Sequence, residues 1–294
     1  MLAETIKIGT LAGKGPRTTD YVRAIQPHGF ECFQINFDKS LQETNLPELA
    51  TQLNDLGADV SCLGIYGNPL GDQALDDETR HAWEQLIDHA PDFGTDLVCG
   101  FTGRVSGESI PDSIPRYAEV FGDLSRRAAD RGVRIAFENC PMGGSWNSGE
   151  WNLAHNPPAW ELLFNAIPSD NIGLEWEPCH QMCQMIEPLP QIREWGHKFF
   201  HIHGKDANVR KDLIQKYGII GKEYGVEHRH PGFGDCNWTH IISELRRVNF
   251  HGSIDIEGWH DPVYKDDLEL SGQVHALAYL KSCRTNFVPN PEGF

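Results

Sequence analysis

Four residues in the C-terminal half of the chain are of types that bind cations and move protons: Glu138, Glu177, His203 and Glu257. Each closes or nearly closes a short β-rich run: RIAFEN (134–139), IGLEWE (172–177), FFHIHG (199–204) and SIDIEG (253–258). Their neighbours in Phe137-Glu138, Ile202-His203 and Ile256-Glu257 are apolar, so the polar residue interrupts a buried stretch rather than decorating a solvated face. Three carboxylates gathered in one buried place repel one another and are costly to desolvate unless a cation sits among them. One imidazole with three carboxylates suits Mn2+, Mg2+, Co2+ or Zn2+, and the oxygen-rich set leans toward Mn2+ or Mg2+. The expectation is one divalent ion, Mn2+ first, held by Glu138, Glu177, His203 and Glu257. Glu175 shares a strand face with Glu177 and competes for the second ligand position.

Something must bring four such residues together. Four further β-rich runs precede these: IKIGTL (6–11), CFQINF (32–37), DVSCLGIY (59–66) and DLVCGF (96–101). Helical patterns lie between them. One opens at Leu46-Pro47-Glu48-Leu49, and another closes over residues 125–132 at Gly132. The last has the period of an amphipathic surface helix in Leu268, Leu270, Val274, Leu277, Ala278 and Leu280. Strand then helix, eight times over, predicts an α/β fold, a single (β/α)8 barrel spanning residues 1–294. Strands five to eight are adjacent in such a barrel, so their C-terminal ends converge on one point. An open doubly wound sheet would show a Gly-rich phosphate turn after the first strand, whereas Gly13-Lys14-Gly15-Pro16 lacks the third glycine. The long connections 140–156 and 205–236 are expected over the C-terminal mouth.

Composition removes several function classes. Asp and Glu outnumber Lys and Arg by 42 to 25 in 294 residues, a formal charge of −17. That field repels a phosphate backbone, and the densest basic pair, Arg246-Arg247, falls within a helical pattern, so nucleic acid is not an expected partner. The N-terminal residues lack the basic start and apolar run of a secretory signal, and no 18 apolar residues run together. A soluble cytoplasmic protein with no membrane partner is expected. Eight cysteines are spread thinly without a C-x-x-C pair and read as free thiols. Cys179 and Cys183, without a second pair, are a weak metal signal.

The segments IAFENCPM, GLEWEPCH, HIHGKDA, HPGFGDCNW and GSIDIEGWHDP resemble the sugar phosphate isomerase/epimerase family of xylose isomerase-like TIM barrels. The resemblance is close over about residues 130–265 and extends to the first half only in strand rhythm. It implies the same four ligands, a substrate-contacting histidine at His180 and a substrate arginine at Arg229. The chain departs from the usual Asp-Pro-Ser-His by reading Glu177-Pro178-Cys179-His180, one methylene longer at the second ligand. It also lacks the second glutamate that some ketose epimerases carry soon after the first ligand, reading Gly143-Gly144-Ser145 there. The implied substrate is small and sugar-like, with an unphosphorylated one favoured because no Gly-rich phosphate cradle follows the last strands. The implied chemistry is removal of a proton α to a carbonyl through an enediolate, with Glu138 and Glu257 facing the substrate from opposite sides. Lys205 is placed to neutralise the enediolate, and Trp146, Trp151 and Trp259 to wall the pocket, while His201 is expected as a core histidine one layer lower.

Isomerisation or epimerisation is the leading expectation. Elimination of a β-leaving group from a keto-sugar, keto-inositol or 3-keto-glycoside is the alternative. A nuclease branch of the superfamily needs histidines after the early strands, where this chain has Gly64-Ile65-Tyr66-Gly67 and Cys99-Gly100-Phe101-Thr102. A barrel that binds metal and sugar without turnover is the non-enzymatic rival. Homo-oligomers are common among such barrels, and the sequence leaves this protein's state open.

Overall fold

The computed structural model describes residues 6–13, 17–219 and 221–285. Its strands are β1 (Lys7–Gly13), β2 (Phe33–Phe37), β3 (Val60–Ile65), β4 (Leu97–Gly100), β5 (Arg134–Glu138), β6 (Ile172–Trp176), β7 (Phe199–Gly204), β8 (Asp206–Val209), β9 (Val226–Arg229) and β10 (Ser253–Ile256). Eight of them close into a parallel barrel in the order β1-β10-β7-β6-β5-β4-β3-β2, as the strand-then-helix rhythm predicts. β8 and β9 form a separate antiparallel pair inside the 205–236 connection. Their sequences, DANV and VEHR, are short and polar, and carry no strand signal. Lys14, Gly15 and Pro16 of the glycine-pair turn lie outside the described residues.

The helices are α1 (Thr18–Ile25), α2 (Leu46–Asp55), α3 (Ala74–His89), α4 (Ile110–Asp130), α5 (Pro157–Ala166), α6 (Pro178–Cys183), α7 (Pro188–Trp195), α8 (Lys211–Tyr217), α9 (Trp238–Arg247) and α10 (Glu269–Arg284). Side chains that accept from orphan N–H groups start several of them: Asn45 for α2, Ser109 for α4, Asn156 for α5 and Asn237 for α9. The expected stop at Gly132 holds, with φ +68° just past α4. α10 is rotated relative to the expected face: Ala276, Leu277 and Leu280 are buried, but Leu268 and Leu270 are exposed and Leu270 turns to the barrel mouth.

The apolar core lies between strands and helices. Trp83 of α3 and Phe121 of α4 meet edge to face at 5.4 Å between ring centroids, and Phe137 of β5 packs on Phe121 at 4.8 Å. Strand alternation turns Phe137 outward and therefore turns Ala136 and Glu138 inward. The same parity places Gln34, Glu175, His201, His203 and Asp255 inside the barrel, all buried. Two glycines make that polar filling fit. A Cβ on Gly9 would sit 2.3 Å from Asp255 Oδ1, and one on Gly64 2.3 Å from Asn36 Oδ1 and 3.0 Å from Gln34 Nε2.

The last helix is tied to the first strand by Arg284, which donates to the Ile6 carbonyl at 2.7 Å and to both Glu31 carboxylate oxygens at 2.5 and 3.0 Å. Burial works against the ionised Glu31 side chain, but Arg284 and the Ile8 N–H outweigh it and hold its carboxyl below the ordinary value. A carboxyl depressed in the folded state stabilises above the unfolded value, about 4.3, and loses that contribution as pH falls through the folded one. Arg284→Ala is expected to lower urea-unfolding stability by about 1.5–3 kcal/mol, the range for hydrogen bonds to charged groups. Glu31→Gln should flatten the decline of the unfolding midpoint below about pH 4.3.

Candidate functional site

The strand ends deliver the expected cluster. Glu138 ends β5, His203 lies one residue from the end of β7, and Glu257 follows β10 directly. Glu177 has left β6 and is the extended residue that precedes α6, its backbone fixed by Asn139, whose side chain receives the Glu177 N–H at 2.6 Å and donates to the Glu177 carbonyl at 2.9 Å. One donor atom from each of Glu138, Glu177, His203 and Glu257 lies within 4.8 Å of the others, and all four residues are buried.

His203 is oriented from beneath. Its Nε2 lies 2.9 Å from Gln34 Oε1 and 3.0 Å from Glu175 Oε1, while Nδ1 faces Glu257 Oε2 at 3.1 Å, Glu177 Oε2 at 3.4 Å and Glu138 Oε1 at 3.8 Å. With Nε2–H donated downward, the Nδ1 lone pair points into the carboxylates. Glu175 thus lies on the far side of the imidazole, outside the four-residue group, where it accepts from Gln34 Nε2 at 3.0 Å and Tyr66 OH at 2.8 Å. His201 lies one layer lower between Glu175 at 3.0 Å and Asp255 at 2.8 Å.

The donor set fits a divalent cation. Glu177 Oε1 and Glu257 Oε2 are buried and make no hydrogen bond, and carboxylate oxygens with one imidazole suit a hard or borderline metal. Lys205 lies 2.8 Å from Glu257 Oε1 and 3.6 Å from Glu177 Oε1. Burial opposes the charge on Glu257, but Lys205 and His203 outweigh it and hold the carboxyl well below its usual range. Burial likewise opposes ionisation of Glu138, which His180 and His203 hold below the ordinary value. Glu177 goes the other way, raised by burial.

Above the cluster opens a cavity of about 610 Å3, lined among others by Glu138, His180, His203, Lys205, Glu257 and Trp259. A larger depression of about 1070 Å3 lies at the opposite end, around the strand starts and the Arg284–Glu31 tie. Glu138, His203 and Glu257 face the first, with Glu177 buried beneath them, at the C-terminal end where barrel chemistry is found.

Of the expected substrate residues, His180, Lys205 and Trp259 line the cavity and Arg229 does not. The Arg229 guanidinium pairs with Asp261 at 3.2 Å and Asn208 at 2.8 Å, and lies 5.7 Å from the Phe233 ring centroid. The alternation of β9 turns His228 to the cavity in its place. Trp146 and Trp151 are not among the lining residues, although the Trp151 ring supports Lys39, which is, at 4.3 Å. Sequence reasoning missed Gln34, Asn36, Lys39, Tyr66 and His260. The strand-end rule applied to β2 and β3, as it was to the later strands, would have found Asn36 and Tyr66.

The sequence model of the family described as xylose isomerase-like TIM barrel matches residues 22–283. The chain belongs to this family. The uncharacterised protein YfiH of Bacillus subtilis is 22% identical over 256 residues, 76% of this chain and 79% of that protein. The inosose dehydratase of Clostridium botulinum is 22% identical over 167 residues, 54% of this chain and only half of that protein. The 3-keto-D-glucoside 4-epimerase from E. coli superposes with a TM-score of 0.70 at 15% identity, covering 95% of this chain and all of that one, a likeness of fold alone. The distant sequence relatives thus include a dehydratase, and the structures of like fold an epimerase. Among the described residues no helix is long and apolar enough to cross a membrane.

Losing a carboxylate that orients a ligating histidine typically costs 10–100-fold in metal affinity. Glu175→Gln is therefore expected to weaken Mn2+ binding by about 10–100-fold in isothermal titration, with Glu177→Ala weakening it further. Unchanged affinity in Glu175→Gln would show that His203 needs no support from below.

Proposed function

We propose that this protein is a divalent-metal-dependent sugar isomerase or epimerase acting by removal of a proton α to a carbonyl. The observation that carries the reading is the pair Glu138 and Glu257. Both line the cavity, both are held ionised, and both belong to the four-residue donor group of which Glu177 is closed off beneath. The ion, Mn2+ or Mg2+ by donor type, would be held by Glu138, Glu177, His203 and Glu257 and would supply Lewis-acid polarisation of a substrate carbonyl.

The chain's own groups do the rest. Glu257, on the cavity wall with Oε1 held by Lys205, is the base that takes the α-proton. Lys205 Nζ and His180 Nε2 carry positive charge where the enediolate oxygens gather negative charge. Glu138, ionised at rest, takes a proton from His180 Nε2, 3.5 Å away, and delivers it to the other face, which inverts the centre while Glu257 keeps the proton it removed. Return by Glu257 to the neighbouring carbon gives aldose–ketose isomerisation instead. The rim carries Asp38, Asp266 and Glu269, which favours an uncharged polyol over a sugar phosphate. Trp259, about half exposed at the mouth, offers a flat face to sugar C–H groups.

Elimination is the second reading, favoured by His180 and Lys205, two proton-bearing groups within reach of a leaving hydroxyl. The experiment is exchange in deuterated water with Mn2+ and a panel of ketoses, keto-inositols and 3-keto-glycosides. Deuterium should appear α to the carbonyl, and Glu257→Gln should slow its uptake about 10²–10⁴-fold, the usual worth of a general base. A product lighter by one water would move the assignment to dehydratase. Substrate binding by metal-loaded protein with no exchange and no product would end both readings.

A further inference from the structure

Cys179 and Cys183 stand one turn apart on α6, so their thiols share a face. The helix is anchored elsewhere: Gln181 donates to the His155 carbonyl at 3.1 Å and accepts from Gln191 at 2.6 Å. Across from the two thiols, β9 presents His228, which its register opposite Ala207 of β8 fixes in place. Cys179, Ala207 and Val226 form a small buried apolar cluster, with Met182 and Cys183 packed against it. One donor atom from each of Cys179, Cys183 and His228 lies within 4.8 Å of the other two.

We infer that these three residues form a second cation site, for a thiophilic ion of the zinc class, built into the wall of the cavity. Tetrahedral bonds of about 2.3 Å to sulfur and about 2.0–2.1 Å to nitrogen set the two ligand atoms about 3.5 Å apart. Cys183 Sγ and His228 Nε2 are 3.5 Å apart. The other imidazole nitrogen, His228 Nδ1, is buried without a hydrogen bond, and the ring is set edge to face against His180 and His260 at 5.6 and 5.7 Å between centroids. Two sulfurs and an imidazole select a softer ion than the three carboxylates and His203, and the two groups share no residue. Three protein ligands leave the fourth position open, the arrangement of reactive rather than purely structural zinc. His228 lines the main cavity, so that position lies at the edge of the space where substrate is expected. The ion would also clamp α6, which carries His180, to the β8–β9 pair.

The test uses the full chain, reduced with a non-chelating phosphine, stripped of metal and titrated with Co2+ by absorption and with Zn2+ by elemental analysis. The unsubstituted chain should show a thiolate-to-cobalt charge-transfer band that saturates within two equivalents, one of them taken by the carboxylate centre, and disappears when Zn2+ displaces the cobalt. Cys183→Ser and His228→Asn should each lose the band or reduce it several-fold, together with one equivalent of zinc. Glu257→Gln, which disturbs only the carboxylate centre, should keep the band, so failure here is separable from failure of the carboxylate site. No band in the unsubstituted chain, or a band undiminished in both variants, would overturn the assignment.

Discussion

Five carboxylates are buried along the inside of this barrel: Glu138, Glu175, Glu177, Asp255 and Glu257. Most barrels of this architecture fill that space with branched apolar side chains. Here it is filled by charge, and charge out of water survives only when paired. The pairing is a column. Asp255 meets His201 at 2.8 Å, His201 meets Glu175 at 3.0 Å, Glu175 meets His203 at 3.0 Å, and His203 meets Glu257 at 3.1 Å. Even with His180, His201 and His203 all protonated beside Lys205, carboxylates exceed cations by one. The deficit falls at the top, where Glu177 Oε1 and Glu257 Oε2 make no hydrogen bond and face imidazole nitrogens at closest range, His180 Nε2 at 3.2 Å and His203 Nδ1 at 3.1 Å. A cation at that point completes the compensation, and the lower column holds the imidazole that would receive it.

Polar side chains that are not themselves reactive also hold the loops of the mouth. Asp206, beside Lys205, accepts from the Ala207 and Cys236 N–H groups and from the Trp238 indole, joining the start of the 205–236 connection to its end. Asp261 receives the His230, Val263 and Tyr264 N–H groups together with Arg229. Asn152 donates to the Glu138 and Cys140 carbonyls and accepts from Thr102, tying the 140–156 connection to the strand end that carries Glu138. Each side chain satisfies backbone groups that a loop over a cavity would otherwise bury unpaired.

These anchors mark the limit of what the residues alone disclose. The eight barrel strands were legible because short β-rich runs recur between helical patterns. The donor group was legible because Glu, Glu, His and Glu stand at or beside the C-terminal ends of β5, β6, β7 and β10. Arg229 was misplaced because residue type suggests an anion-binding role, while its direction depends on the register of a β8–β9 pair that has no hydrophobic alternation. Gln34 and Tyr66 were missed for a related reason. They are uncharged, and their importance lies in the partners that barrel closure brings to them from residues more than a hundred positions away. His228 similarly gains meaning only when β9 meets α6.

Pairing Glu257 with Lys205 has a chemical consequence. A lysine 2.8 Å away keeps the carboxylate ionised, and by the same interaction makes it a weaker base. A weak base removes a carbon-bound proton at a useful rate only if that proton has been made more acidic, since proton transfer is most effective between groups of matched pKa. The acidifying groups are therefore not accessories to Glu257 but conditions for its use: charge held at Lys205 and His180, and the carbonyl polarisation that an ion among Glu138, Glu177, His203 and Glu257 would supply. On the proposed reading, the same balance restricts substrates. A sugar without an oxidised carbon adjacent to the scissile C–H offers nothing to polarise, so an unmodified glycoside should bind without exchange while its keto counterpart reacts.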